Sequence, residues 1–360
     1  MNNLEKLYGR FSQSPWLDNL SRDLLSSGKL QEYIDQGIRG LTSNPTILEN
    51  AIIHSSAYDE QIKQLSGQGL NDEQIYWRIV EDDIKAATAL LRPLWDQSGG
   101  TDGFVSLEVS PTLANDTKAT LEQAKKLWKE VDQPNLMIKV PATDAGIPTV
   151  HELLEAGINV NVTLIFSLEH YRSVAEAHRA SHALGHVNNA RSVASFFISR
   201  VDSEIDKRLE AIGTEAALNL RGQAAVAQAH LAYSIFLEQF GDAAVLEPTS
   251  PAIQRLLWAS TSTKNENYDD LLYVRYLVAP HTVNTLPEAT IEKILDHLPE
   301  DTRSLSLEDI AHAQGILRDI AKVGVDLDDV AKTLESEGVQ KFQASFKTLL
   351  EAIATKRTHL

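Results

Sequence analysis

The chain has 360 residues, 43% of them hydrophobic, no cysteine and a net charge of −17. That length carries one large core or two smaller ones, and the lack of cysteine excludes a disulfide frame, a thiol nucleophile and a cysteine-bound metal. The acidity argues against a nucleic-acid backbone as partner, but not against a phosphorylated small molecule, which one arginine in a cleft can hold locally.

In chain order, the N-terminal stretch MNNLEKLYGRFSQS has no apolar run flanked by basic residues, so no secretory signal is expected. Short apolar runs follow: PWLDNL (15–20), IRGLTSNPTIL (38–48), GFVSLEVS (103–110), NLMIKVPA (135–142), GINVNVTLIF (157–166), RSVASFFISRVD (191–202), RLLWASTST (255–263) and YVRYLVAPHTVNT (273–285). Between them lie segments such as TLEQAKKLWKEV, with apolar residues three and four apart, the spacing of an amphipathic helix. Eight strand-like runs alternating with helices predict a closed (β/α)8 TIM barrel with additional helices, whose usual core is about 250 residues. The surplus is expected as two helices within 46–95, a long pair near 203–240 and a tail at 306–356, all in one domain spanning 1–360. No window nears the roughly 18 apolar residues of a membrane span, so a cytoplasmic protein is expected.

Alternation within the strands singles out polar residues. Successive strand side chains point to opposite faces, so Ser106, Glu108 and Ser110 oppose Leu107 and Val109, and Asn159, Asn161 and Thr163 oppose Val160, Val162 and Leu164. Lys139 opposes Ile138 and Val140. In a barrel the apolar face packs on the helices, which turns Glu108, Lys139, Asn161 and Thr163 inward from three consecutive strands. Asp18 and Asn44 fall late in their runs, and Ser195 and Phe197 alternate together in the sixth. An isolated strand lysine usually snorkels to water. A lysine turned inward beside a carboxylate is either half of a structural ion pair or an amine whose neutral form attacks carbonyls. For the second, Glu108 is expected to be separated from Lys139 by water or otherwise engaged.

Other signals carry less. His178, His182 and His186 recur every fourth residue, but no carboxylate joins them and Gly185 interrupts the stripe, so a polar helix face is expected and no metal. Trp77, Trp95 and Trp128 lie in helical segments and read as packing anchors. There is no dinucleotide fingerprint and no Walker loop.

The stretches SPWLDNLSR, GLTSNPTI, VSLEVS, LMIKVPAT, GINVNVTLIFS, ASFFISRVD and LLWASTSTKN resemble the transaldolase family, and HTVNTLPEAT is similar to its longer bacterial branch. The resemblance implies a class I mechanism without metal or organic cofactor. Lys139 would form a Schiff base with a ketose. Asp18 would take the C4 hydroxyl proton during carbon–carbon cleavage. Glu108 and Thr163 would hold a water that shuttles protons. Asn44 and Asn161 would hold the dihydroxyacetone hydroxyls, Ser195 and Arg200 the sugar phosphate, and Phe197 would guard the intermediate. Many members carry a second phosphate-binding arginine two residues after a serine in the seventh strand's loop. Here Ser260 matches the serine, but the nearest cation is Lys264. The related fructose-6-phosphate aldolases are shorter and carry glutamine and tyrosine where this chain has Glu108 and Phe197. The resemblance therefore implies dihydroxyacetone transfer between sugar phosphates, in the pentose phosphate pathway, by a cytoplasmic monomer or homodimer without nucleic-acid or membrane partners. An aldolase releasing free dihydroxyacetone and a non-catalytic sugar-phosphate-binding barrel are the alternatives.

Overall fold

The computed structural model describes residues 1–183, 189–241 and 250–359. Eight strands, β1 (Ser14–Asp18), β2 (Gly40–Thr42), β3 (Phe104–Glu108), β4 (Leu136–Pro141), β5 (Val160–Ile165), β6 (Ser192–Phe197), β7 (Gln254–Ala259) and β8 (Val283–Leu286), pair in parallel in sequence order. β8 also pairs with β1, so the sheet closes into the expected barrel with helices between its strands. Nearly every strand residue is buried, as both faces of a parallel barrel strand are covered.

Three runs hold less strand than alternation alone predicts. In 38–48 only Gly40–Thr42 is strand. Asn44 then caps the helix Pro45–His54, its Oδ1 accepting the Ile47 N–H at 3.0 Å, with Pro45 in the first helical turn. β2 runs tight against β1, and a Cβ on Gly40 would come within 2.5 Å of the Trp16 ring, so this position admits no side chain. In 191–202 the strand stops at Phe197 and the helix Ser199–Ile212 begins. In 273–285 only the end is strand, because Leu272–Tyr276 is helical. Pro280 removes a backbone donor and His281 turns at a φ of 60°, which separates that helix from β8.

The surplus helices fall where the length required them. After β2 there are three rather than two: Pro45–His54, Asp59–Gly67 and Asp72–Gln97. The pair near 203–240 is Ser199–Ile212 and Ala224–Phe240, with the short Glu215–Leu218 between. The tail forms Leu307–Lys322 and the 33-residue helix Leu327–His359. Trp77 and Trp95 on Asp72–Gln97 and Trp128 on Thr117–Val131 lie half-buried against the core.

An ionic plug joins the strand starts at the closed end of the barrel. Asp102, 1% exposed, accepts from Ser14 Oγ, from Trp16 Nε1 and from Arg39 Nε at 2.7 Å, and pairs with Arg255 Nη1 at 3.2 Å. Asp102→Ala strands two partly buried guanidiniums. It is expected to cost about 3–5 kcal/mol in denaturant unfolding while leaving the distant mouth intact.

Candidate active site

The open end is built by the last residues of the strands. Asp18 ends β1, Glu108 ends β3, Lys139 lies on β4, Asn161 and Thr163 on β5, and Ser195 and Phe197 on β6. Register fixes their level: Glu108 pairs across to Lys139, and Lys139 to Asn161. Arg200 is the second residue of Ser199–Ile212, and Ser260 and Lys264 follow β7. A cavity of about 180 Å³ is lined by Asp18, Asn44, Lys139, Ser195, Phe197, Arg200, Ser260 and Lys264. Glu108, Asn161 and Thr163 do not line it; they are buried beside Lys139.

Lys139 is 5% exposed. Its Nζ lies 3.2 Å from Glu108 Oε2 and donates to the Ser43 carbonyl at 3.2 Å. Water therefore does not separate the two, contrary to the expectation from sequence. The carboxyl side resolves the conflict. Burial pushes the Glu108 carboxyl up, against the pull of Lys139, so this carboxyl takes up a proton more readily than a free glutamate. Glu108 Oε2, despite the close ionic contact, has no well-formed hydrogen bond, and Thr163 Oγ1 has no partner among the described residues.

Asp18 keeps part of its surface open to the cavity, yet burial raises its pKa. Lys139 and the hydrogen bond from Thr42 Oγ1 at 2.7 Å oppose that shift. Thr42 in turn contacts Thr285 on β8. Asn44 spends its oxygen on the helix cap, so of its side chain the amide N–H groups are what it has left to offer the cavity it lines. Asn161 is engaged on both sides: Nδ2 donates to Ser106 Oγ at 3.1 Å and Oδ1 accepts from Ser195 Oγ at 2.6 Å. This arrangement does not suit Ser195 to a phosphate. Its one proton goes to Asn161, so toward the cavity its oxygen can only accept.

At the rim the cations gather. Burial lowers the Arg200 pKa, with Glu337 opposing; the group stays a cation and stacks over the Phe197 ring at 5.1 Å. Phe197 also packs on Phe166 with ring centroids 5.0 Å apart. Ser260 sits at a φ of 58° with its hydroxyl on Ser199, and Lys264 Nζ reaches Ser262 Oγ at 2.7 Å.

The sequence reading missed Thr42, which alternation places on the same face as Asn44, and Lys341 with Phe342, which the last helix brings to the cavity. No signal in the sequence separates Lys341 from the other lysines of that helix. Away from the mouth, the His178 and His182 rings on Leu168–Ala183 lie tilted with centroids 4.5 Å apart, and burial pushes His178 down to about 3, a neutral ring. His186 lies outside the described residues. No group of three or more His, Asp or Glu among the described residues could hold a metal ion, and no helix among them is long and apolar enough to cross a membrane.

Fold and site together define a (β/α)8 barrel enzyme with an amine and two carboxylates at its mouth. A profile of the Transaldolase/Fructose-6-phosphate aldolase family matches residues 15–353. A transaldolase of Mycobacterium bovis (strain BCG / Pasteur 1173P2) is 47% identical over 361 residues, covering 96% of this chain and 94% of that one. A transaldolase of Mycolicibacterium paratuberculosis is 49% identical over 349 residues, covering 94% and 93%. The chain belongs to the transaldolase/fructose-6-phosphate aldolase family, on its transaldolase side, and is a transferase.

Proposed function

We propose that the protein moves a dihydroxyacetone unit from a ketose phosphate, such as sedoheptulose 7-phosphate or fructose 6-phosphate, to an aldose phosphate, such as glyceraldehyde 3-phosphate or erythrose 4-phosphate. The observation that carries this reading is Lys139, buried in contact with Glu108 and facing a cavity shared with Asp18 and a cationic rim. Neutral Lys139 adds to the ketose C2 carbonyl. Glu108 and Thr163, each with a buried oxygen to spare, relay protons through a shared water as the carbinolamine loses hydroxide as water. Asp18 then takes the C4 hydroxyl proton. The C3–C4 bonding pair moves into the imine, an enamine forms, and the aldose phosphate departs. The second half runs backwards: the enamine attacks the acceptor carbonyl, Asp18 returns its proton to the new alkoxide, and water releases the product ketose from Lys139.

Asn44 and Ser195 hold the dihydroxyacetone hydroxyls, with Asn161, expected from the resemblance to share that role, orienting Ser195 from behind, while Arg200, Ser260 and Lys264 hold the phosphate. Phe197 favours transfer over cleavage, because its ring brings no hydroxyl to deliver a proton to the waiting enamine. The reading assigns the enzyme to the pentose phosphate pathway, in the cytoplasm, as a monomer or homodimer.

Borohydride reduction in the presence of fructose 6-phosphate, followed by peptide mass measurement, tests it. The expected result is a reduced adduct on Lys139, with little free dihydroxyacetone until an acceptor aldehyde is added. Rapid release of dihydroxyacetone without acceptor would establish an aldolase. An unmodified Lys139 at saturating sugar would leave a binding barrel.

A further inference from the structure

We infer that Lys341, on the C-terminal helix Leu327–His359, is a phosphate-binding residue of the mouth that completes a three-cation rim with Arg200 and Lys264. The inference rests on the sugar-phosphate reading above and names a contact that the barrel strands and their loops do not supply.

The helix is fixed where it passes the mouth. Gly338 lies against β5, where a Cβ would meet Leu164 Cδ2 at 3.1 Å and Arg200 Nη1 at 3.6 Å. Phe342 is buried and lines the cavity. One turn on, Ser345 hydrogen-bonds Thr46 at 2.9 Å, and Phe346 packs edge-on to Tyr76 with centroids 5.2 Å apart. Lys341 falls between these anchors, on a backbone that cannot drift away from the site.

Its side chain lines the same cavity as Arg200, Lys264, Asp18 and Lys139. Glu337, four residues earlier, is at the spacing of a helical ion pair, yet it acts on Arg200, the carboxylate that attracts Lys341 is Glu49, and Lys341 makes no hydrogen bond or ion pair among the described residues. Arg200 likewise has no ion pair there, only the Phe197 face. Arg200 and Lys341, neither in an ion pair among the described residues, and Lys264, held by a serine hydroxyl, converge on one pocket; Glu337 attracts Arg200 and Glu49 attracts Lys341 without closing a contact, which leaves room for an anion between the three cations. Desolvation lowers the Lys341 pKa, and Arg200 and Lys264 lower it further against the pull of Glu49. A phosphate dianion satisfies all three. The lysine point charges also make up for the absent second arginine, which would have bound the oxygens as a fork.

The test compares wild-type enzyme with Lys341→Gln and Lys341→Arg. For the glutamine variant, KM for fructose 6-phosphate and erythrose 4-phosphate is expected to rise on the order of tenfold, with kcat within about twofold. Unphosphorylated glyceraldehyde as acceptor should show no comparable rise. Inorganic phosphate, measured as a competitive inhibitor and by calorimetry, should bind on the order of tenfold more weakly. Arginine should restore most of both. Unchanged KM and phosphate affinity would overturn the inference, as would an equal rise for glyceraldehyde, which would mark a general disturbance of the mouth. Calorimetry needs no turnover, so the two readings separate. A wild-type enzyme that forms no Schiff base but loses phosphate affinity in Lys341→Gln defeats the transferase reading alone. One that transfers normally with an indifferent Lys341 defeats this inference alone.

Discussion

Lys139→Ala is expected to abolish the borohydride-trapped adduct with fructose 6-phosphate and to lower transfer by at least about 10⁴-fold, because the other lysines of the cavity, Lys264 and Lys341, have no carboxylate in contact as Lys139 has Glu108 to take up the proton that imine formation requires. The fold should survive. The substitution leaves Glu108 buried without its counter-charge, but burial already raises that carboxyl, and once protonated it no longer buries a charge. Lys139→Met keeps the unbranched stem and controls for lost packing; it should be equally inactive. Residual adduct at another lysine in either variant would show that the amine at the mouth is not the nucleophile.

Asp18→Asn should separate imine formation from bond cleavage. The variant keeps Lys139, so the adduct should still be trapped. It loses the base for the C4 hydroxyl, so kcat should fall by about 10²–10⁴-fold. Asparagine can still accept the Thr42 hydrogen bond, so the local arrangement is retained. In the wild type the base acts only when ionised, and burial raises its pKa. Activity is therefore present above that raised pKa and lost as pH falls through it, at a higher pH than an ordinary aspartate near 3.9 would give. The stability consequence has the opposite sense. A buried carboxyl with a raised pKa takes up a proton more readily when folded, so its cost to folding is present at neutral pH and fades as pH falls through the folded pKa. Asp18→Asn removes that cost, and its thermal midpoint at pH 7 should equal or exceed that of the wild type. Loss of the trapped adduct, or unimpaired cleavage, would reject the assigned role.

Much of this site was legible from local pattern. Period-two alternation in SLEVS, MIKV and NVNVTL turned Glu108, Lys139, Asn161 and Thr163 to the buried interior, because the direction of a strand side chain depends only on its place in the pleat. Strand ends were less legible. Asn44 closes an apolar run that looks continuous, yet its side chain starts a helix, and Pro280 breaks a run whose tyrosines and valines suit either strand or helix. Ser195 was placed at the mouth, but the direction of its proton depends on Asn161 of a neighbouring strand.

By itself the sequence determined a closed eight-strand barrel and the set of polar residues carried on its strands, since both follow from hydrophobic period and chain order. Only the tertiary structure decided that Glu108 touches Lys139 directly, that Asp102 ties the closed end to two arginines, and that Lys341 comes to the mouth. These contacts join residues far apart in the chain. They depend on strand register and on where a 33-residue helix crosses the barrel, and both are set by packing between elements rather than by any repeat within one.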